Sequence, residues 1–250
     1  MPSDLPEYVI EYPAPERSKA AIIFGYAARF FTVGLIVFFL FSVIWVLVYR
    51  FTQPPSSVIM RRDRQKGIEI DRRPVSIDKI SVNLPLAVMA AEDQQFCQHS
   101  GFDWSAISAA QTFNEAESRK RGASTISMQT AKNAFLWPTR SWIRKSFEAY
   151  FTALIEVLWP KERIIEVYLN VAEWGVGIYG AEAAAYHYFG ISASELTTRQ
   201  AALLAAALPT PTRSNPSQPT TYLANRASTI EADMARLVGE YSECVTDLNP

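Results

Sequence analysis

The chain has 250 residues, enough for one ordinary domain and a short additional segment. Its composition is globular, with 49% hydrophobic and 20% charged residues, and its formal net charge is -1. That balance argues against a nucleic-acid-binding protein, because neutralising phosphates requires a basic surface. Basic residues are concentrated between positions 50 and 73 and acidic residues after position 231, so a membrane surface or a phosphorylated ligand remains a candidate partner.

A charge-free apolar stretch near the N-terminus runs from Phe30 to Tyr49. As a helix its 20 residues span roughly 30 Å, the thickness of a bilayer hydrocarbon core. A buried core helix would carry a polar stripe, and a cleavable signal peptide would be shorter and followed by small residues. The stretch is apolar all round and is followed by Arg50, so it predicts an uncleaved transmembrane helix.

Flanking charges do not orient this helix clearly. Three basic residues precede it and five follow it, so a simple count places the C-terminal side in the cytoplasm: Arg17, Lys19 and Arg29, then Arg50, Arg61, Arg62, Arg64 and Lys66. Long domains cross membranes regardless of such charges, which weakens the rule here.

After the anchor, residues 58–75 read as a strand or loop rich in arginine, and helical patterns dominate from Leu84 onward. We therefore expect a compact, mostly α-helical domain over about residues 76–236. One helix is predicted over Trp142–Trp159, ended by Pro160, with these apolar residues on a core-facing side: Ile143, Phe147, Phe151, Leu154 and Leu158. A second helix is predicted from Glu162 to about Trp174.

The segment Ala91–Asp103 (AEDQQFCQHSGFD) places two adjacent carboxylates, Glu92 and Asp93, at the end of an apolar run. Burial beside apolar packing can raise the pKa of a carboxylate towards the range of a general base. Taken alone, the segment is more typical of a helix that ends in an ordinary polar loop.

The next polar segment, residues 121–133 (RGASTISMQTAKN), predicts a loop entering a helix with Ser124 as its N-cap. On that helix Thr125, Gln129 and Lys132 would share one face and suit a phosphate or sugar ligand. Farther along, Arg144 and Glu148 stand four residues apart, a spacing that in most proteins makes a solvated surface ion pair. The glycines and alanines of residues 175–185 favour a tight turn and close helix packing.

Five segments in this order resemble the successive motifs of the peptidoglycan glycosyltransferases: AEDQQFCQHSGFD, GASTISMQTAKN, RKSFEA, KERIIEVYLN and GIYGAEAAAYHYFG. The family forms the first domain of class A penicillin-binding proteins and also occurs as stand-alone enzymes. The resemblance covers roughly Leu84–Pro216, is highly specific because five motifs coincide, and is closest to the monofunctional biosynthetic transglycosylases. It implies a mainly α, lysozyme-like glycosyltransferase domain preceded by one transmembrane helix. Residues 217–250 are too few for a transpeptidase domain, and no K-T-G motif occurs.

Matching positions carry the family's residue roles to this chain. Glu92 is implied to be the general base that deprotonates the 4-hydroxyl of the acceptor sugar. Glu148 is implied to be the second catalytic carboxylate, which assists departure of the diphosphate either directly or through a metal ion. Lys132, Arg144 and Lys145 match the basic positions that hold the diphosphates. The other positions implied to line or support the substrate cleft are Asp93, Phe96, His99, Ser124, Thr125, Gln129 and Asn133.

The resemblance also implies the reaction and its surroundings. The substrate would be lipid II, joined into β-1,4 glycan strands with inversion at the anomeric carbon and release of undecaprenyl diphosphate. Mg²⁺ or Mn²⁺ would bind mainly through that diphosphate, since the two histidines and two cysteines lack metal-site spacing and predict no protein-built metal site. The growing glycan, the membrane, cell-wall synthesis or division proteins and the inhibitor moenomycin are the implied partners.

Because the head group of lipid II is presented outside the cytoplasm, the resemblance implies a periplasmic catalytic domain on a single-pass inner-membrane anchor. The expected organisation is a cytoplasmic segment 1–29, a transmembrane helix 30–49, a membrane-proximal linker 50–75, a glycosyltransferase domain 76–236 and a tail 237–250. Whether Cys97 and Cys244 are free or paired is left open by the sequence.

Two departures from the family pattern occur in the second motif, where Ala123 replaces a glycine and Met128 replaces the first glutamine of a usual pair. The loss of that amide puts one substrate contact in doubt. Two other functions compete with polymerisation: a lysozyme-like lytic transglycosylase acting on finished glycan, and a non-catalytic cell-wall scaffold. A lytic enzyme needs no diphosphate-binding cations, and a scaffold needs neither Glu92 nor Glu148.

Overall fold

The computed structural model describes residues 19–116, 122–139 and 141–245, with side chains from residue 23 onward. Helices make up most of this part of the chain, which confirms the expected mainly α, lysozyme-like fold. The predicted segment 1–29 lies largely outside the described residues, and so do Arg17, Arg121 and the end of the predicted tail.

The helices in chain order are α1 (Lys19–Phe51), α2 (Val58–Gln65), α3 (Asn83–Glu92), α4 (Trp104–Ala116), α5 (Ile126–Phe135), α6 (Trp142–Leu158), α7 (Lys161–Val171), α8 (Ala181–Phe189), α9 (Thr198–Ala207) and α10 (Thr221–Cys244). Three short strands form one sheet in the order β1-β3-β2: β1 (Asp71–Arg72), β2 (Glu173–Gly175) and β3 (Ile178–Tyr179). β1 pairs with β3 in parallel, and β2 pairs with β3 antiparallel.

The chain divides into two compact units between Trp45 and Val46. In the first, α1 exposes most of its large apolar side chains, including Phe30 at 83%. Residues Ile23–Phe51 are long and apolar enough to cross a membrane, and the predicted span 30–49 lies entirely within them.

In the second unit the helices pack in two groups. α3, α9 and α10 contact one another, and α5 packs between α6 and α7. Alanine allows close approach within the first group, since all three alanines at the end of α9 are buried. The core of the second group is built from larger side chains, such as Ile126, Ile155 and Ile164, none of which is exposed.

Helix α6 forms where predicted, but the prediction of its buried face is only partly right, because Phe151 is buried while Phe147, Leu154 and Leu158 are half-buried. Its buried residues are Glu148, Phe151, Thr152 and Ile155. Ile143, expected in the core, is instead 68% exposed. The inward face carries polar groups because it borders a cleft, and hydrophobic spacing alone does not reveal such a face.

Helix α7 ends at Val171, three residues before the predicted end, because Trp174 belongs to strand β2. The turn to β3 needs Gly177, where φ is +74° and an added Cβ would lie 2.2 Å from the carbonyl oxygen of Glu69. The expected tight turn is confirmed. So is the close packing that follows it, since the first turns of α8 bury Ala181, Ala183, Ala184 and Ala185.

The membrane-proximal segment was expected to be strand or loop, yet it contains helix α2 and only the two-residue strand β1. Ser57 caps α2 by accepting a hydrogen bond from the Met60 N–H. Side chains of α7 hold the neighbouring chain on both sides of α2: Arg163 donates to the carbonyl oxygens of Tyr49 and Thr52, and Asn170 bonds both the N–H and the carbonyl of Val75.

Cys97 and Cys244 form a disulfide with a Cα–Cα distance of 5.7 Å. It joins the loop after α3 to the last residue of α10, across 147 residues of sequence. The question that the sequence left open is thus answered by the tertiary structure, since only the fold brings the two cysteines together.

Candidate active site

A cleft of about 350 Å³ gathers residues from α2, α5, α6 and the loops before α5 and α6. Its lining residues are Ile59, Ser124, Met128, Gln129, Lys132, Pro138, Arg144, Lys145 and Glu148. A smaller cavity of about 130 Å³ shares Ile59, Gln129 and Lys132 with it and reaches Asn133, Tyr168 and Glu173. Most of the predicted cleft residues therefore meet in one place.

Glu92 is the last residue of α3, and its side chain accepts a hydrogen bond of 2.9 Å from the amide of Gln129 on α5. This bond links the two helix groups at the cleft. Burial raises the pKa of Glu92, although the Gln129 hydrogen bond and the charges of Arg226 and Lys132 act in the opposite direction. A carboxylate with a raised pKa that remains beside cations is suited to accept a proton from a sugar hydroxyl.

Glu148 is only 3% exposed and is bonded by two cations of its own helix. The Arg144 Nη1 lies 2.5 Å from one of its carboxylate oxygens, and the Lys145 ammonium bonds the other. The sequence interpretation of a solvated surface pair is therefore wrong, because this carboxylate is buried at the cleft. Among the described residues, the buried Nε of Arg144 has no hydrogen-bond partner.

Lys132 on α5 lines both cavities. Burial lowers its pKa; the nearby Glu148 and Glu92 act against that change, while Arg144 and Lys145 add to it. The ammonium is thus influenced by both carboxylates and stands beside two further cations. Such a cluster is suited to an anionic ligand, because the ligand's charge would relieve the repulsion among the cations.

Three predicted site residues lie outside the lining of the two cavities and support the cleft from behind: Asp93, Phe96 and His99. Asp93 is buried and accepts a hydrogen bond of 2.9 Å from the Ile126 N–H at the start of α5. His99 Nε2 lies 3.0 and 3.1 Å from the two oxygens of Asp93, and Phe96 is fully buried beside the His99 ring. The hydrogen bonds of Asp93 therefore fix the loop that follows Glu92 against the start of α5.

The N-cap of α5 is Thr125, one residue beyond the predicted Ser124. The Thr125 hydroxyl accepts from the Met128 N–H and donates to the carbonyl of Gly101 at 2.7 Å. Thr125 is consequently buried, and the cap frees Ser124 to line the cleft with Met128. The expected shared face of α5 is confirmed for Gln129 and Lys132 and is wrong for Thr125.

Sequence reasoning missed several lining residues, among them Ile59 and Glu173. Ile59 lies in α2, within the segment expected to be strand or loop, and Glu173 lies at the start of β2. Burial raises the pKa of Glu173, and the negative charge of Asp63 adds to that effect. Residue identity gave no signal for either, because only the fold of α2 and β2 against α5 and α7 places them at the cleft.

Comparison with known proteins agrees with this geometry. The family model described as Transglycosylase matches residues 61–235, which include every predicted site residue. A biosynthetic peptidoglycan transglycosylase of Rhodospirillum centenum is 58% identical over 188 residues, covering 75% of this chain and 81% of the relative. One of Pseudomonas fluorescens (strain Pf0-1) is 49% identical over 219 residues, covering 85% and 91% respectively. The chain therefore belongs to the peptidoglycan transglycosylase family.

Proposed function

We propose that this enzyme polymerises lipid II into β-1,4-linked glycan strands, with inversion at the anomeric carbon and release of undecaprenyl diphosphate. The observation that carries the proposal is one cleft lined by three cations and the buried carboxylate of Glu148, with the part-buried Glu92 hydrogen-bonded to the lining residue Gln129. A sugar hydroxyl needs a base, and a departing diphosphate needs positive charge.

Glu92 takes the role of general base. Its carboxylate accepts the proton of the acceptor 4-hydroxyl while that oxygen attacks the anomeric carbon of the donor. The bond from the anomeric carbon to the diphosphate breaks on the opposite face, so a single displacement inverts the configuration. The Gln129 amide, 2.9 Å from the Glu92 carboxylate, orients the base, and its hydrogen bond acts against the rise in pKa that burial causes.

Lys132, Arg144 and Lys145 hold the diphosphate and stabilise the charge that develops on it. Glu148 acts through two of these cations, because its two oxygens bond Arg144 and Lys145 and fix their positions. The Nε of Arg144, which has no hydrogen-bond partner within the described part of the chain, supplies a further donor for a phosphate oxygen. Ser124 lines the cleft and Asn133 lines the smaller cavity, and both complete the proposed substrate contacts.

A divalent cation fits this site only as a companion of the substrate. Within residues 19–116, 122–139 and 141–245 no group of three or more His, Cys, Asp or Glu side chains is placed to hold a metal ion. Both oxygens of Glu148 are already bonded by cations. We infer that Mg²⁺ or Mn²⁺ binds mainly through the diphosphate, where it would neutralise leaving-group charge.

The location proposed for the catalytic domain is the periplasmic face of the inner membrane, with α1 as a single-pass anchor. The apolar span Ile23–Phe51 supports the anchor. The Cys97–Cys244 disulfide supports the side, because structural disulfides persist in the periplasm and are rare in the cytoplasm. The basic residues that flank the span did not decide its orientation, and the disulfide is an argument that does not depend on those charges.

The decisive experiment incubates the full-length protein in detergent with lipid II and, separately, with finished glycan strands. We expect glycan chains to grow from lipid II, and we expect Glu92→Gln to reduce growth at least a hundredfold while the protein stays folded. Lys132→Gln should cause a comparable loss, because an electrostatic contribution of this kind is typically large. Glu195→Gln, an exposed carboxylate outside the cleft, is the matched control.

Cleavage of finished glycan without chain growth would instead establish a lytic enzyme, and full activity of Glu92→Gln would remove the base assignment. Repeating the reaction with a chelator tests the divalent cation, and competition between moenomycin and lipid II tests the cleft as the substrate site. Labelling of whole cells with a membrane-impermeant thiol reagent, with and without prior reduction, tests the side. Labelling of Cys97 or Cys244 only after reduction is expected.

A further inference from the structure

Three residues of α10 lie on one line along the helix. Arg226, Asp233 and Cys244 are separated by seven and eleven residues. At 3.6 residues per turn these intervals are close to two and three whole turns, so the three side chains leave the helix in nearly the same direction. Arg226 lies outside the region that resembles the five family motifs.

Two of the three residues are attached to the loop that follows Glu92. The Gln94 amide donates to the Asp233 carboxylate at 3.1 Å, and Cys97 is bonded to Cys244. α3, which ends at Glu92, packs directly against α10. Gln94 precedes Cys97 in the loop, and their partners Asp233 and Cys244 follow in the same order along α10. The three aligned residues of α10 therefore run in the same direction as the chain that follows Glu92.

The third residue of the line, Arg226, is part-buried, and its Nε is fully buried. Among the residues that the structure describes, this Nε has no hydrogen-bond partner. The order of the two attachments places Arg226 at the Glu92 end of the line. In agreement, the positive charge of Arg226 acts to lower the pKa of Glu92.

We propose that Arg226 is a positioning residue for the general base, held in register beside Glu92 by the Gln94–Asp233 hydrogen bond and the Cys97–Cys244 disulfide. The inference rests on the proposed role of Glu92 as the base. A guanidinium at this place favours the ionised carboxylate, which is the form that accepts a proton, against the burial that favours the protonated form. α10 thereby becomes part of the active site.

Several other groups act on the Glu92 carboxylate, and each comes from a different element packed around it. Gln129 and Lys132 come from α5, and Asp93 follows directly in the chain. The fully buried Tyr168 of α7 is also within electrostatic reach of Glu92. Lys132 is proposed to bind the diphosphate, so its charge is shared with the substrate. Arg226 lies on α10, in the same helix group as Glu92, whereas Lys132 lies in the other group. The charge of Arg226 is therefore not shared with the diphosphate and stays available to Glu92.

The test is the pH dependence of lipid II polymerisation at saturating substrate, measured on the full-length disulfide-bonded protein. Arg226→Gln should move the acid limb of the rate profile to higher pH. The rate below the limb should fall about three- to tenfold, and the rate on the alkaline plateau should change little. Arg226→Lys should restore most of the wild-type profile because it keeps the charge. Lys79→Gln, which removes an exposed cation outside the cleft and outside α10, should behave as wild type.

An unchanged limb in a folded Arg226→Gln protein would overturn the inference, and so would an equal loss at every pH, which indicates a merely structural role. If Arg226→Gln does not fold, the same pH profile is measured on Cys244→Ser. This variant removes the disulfide that attaches α10 to the loop after Glu92 and keeps Arg226. A limb moved to higher pH supports the inference, and an unmoved limb overturns it. Loss of the proposed function itself would be seen separately, as wild-type protein without polymerisation or Glu92→Gln with full activity.

Discussion

At the scale of single residues, the site holds ionisable side chains in surroundings that disfavour their charged forms. Glu92 is held in a place where burial disfavours its charge, and Lys132 is held where burial and two neighbouring cations disfavour its own. Neither arrangement favours folding, and both favour a site that takes up a proton and an anion. We therefore expect neutral substitutions of these residues to lower the activity without lowering the stability of the fold.

The first prediction concerns the stability of Glu92→Gln. The folded-state pKa of Glu92 is raised, so the free energy that this group contributes is fully present below its unfolded pKa and is lost as pH rises through the folded pKa. Around neutral pH the ionised Glu92 therefore costs stability. The glutamine variant should unfold at an equal or higher temperature than wild type at pH 7.5, and the advantage should vanish towards pH 4.

Thermal unfolding followed by circular dichroism at both pH values checks this expectation. A Glu92→Gln protein that is much less stable than wild type at pH 7.5 would contradict it. That outcome would mean that the carboxylate charge is needed for the fold, and the Gln129 hydrogen bond would then be the first contact to test.

At the scale of elements, helix α7 holds the membrane-proximal chain in place. Three of its residues act on successive turns: Arg163, Glu166 and Asn170. Glu166 accepts from the Gln53 amide and the Ile77 N–H, and it is paired with Arg163. This motif, KERIIEVYLN, thus serves mainly to position α2 and β1, and α2 in turn supplies Ile59 to the cleft.

The second prediction is that Asn170→Ala destabilises the protein by about 1–3 kcal/mol, because it leaves the part-buried N–H and carbonyl of Val75 without the side chain that bonds both. Asn170 is fully buried. Asn225→Ala, an exposed asparagine in α10, should change stability by less than about 0.5 kcal/mol. Urea unfolding of both variants measures the difference, and equal stabilities would refute the holding role of Asn170.

At the scale of the whole molecule, the compact catalytic unit begins at Val46, inside helix α1. The Trp159 indole donates to the Val46 carbonyl at 2.9 Å, and Arg50 donates to the Leu158 carbonyl at 2.6 Å. The Tyr49 ring stacks on Phe135 at 5.4 Å between centroids. The last turns of the apolar helix are thus part of the folded domain.

The third prediction compares two truncated proteins in detergent, one starting at Val46 and one at Gln53. The shorter protein loses the carbonyl partners of Trp159 and Arg163, which should cost about 2–4 kcal/mol and lower the unfolding temperature by about 5–10 °C. Differential scanning calorimetry measures both. Equal unfolding temperatures would show that residues 46–52 add nothing to the domain.

The sequence by itself determined the apolar span, the helical class of the fold, the family and most of the residues that meet at the cleft. These rest on local signals: a charge-free run of bilayer length, hydrophobic periodicity, and five motifs in order. Local signals also carried the Gly177 turn and the alanine packing of α8, because both depend on the backbone of a few neighbouring residues.

Tertiary structure alone decided the burial of Glu148, the buried face of α6, the cap at Thr125 and the disulfide. Each depends on what another element brings from far along the chain. An i,i+4 pair looks the same on a surface and in a cleft, and two cysteines 147 residues apart carry no sign of their distance in space. The physical reason is that burial and pairing are properties of packing, which a single stretch of sequence does not contain.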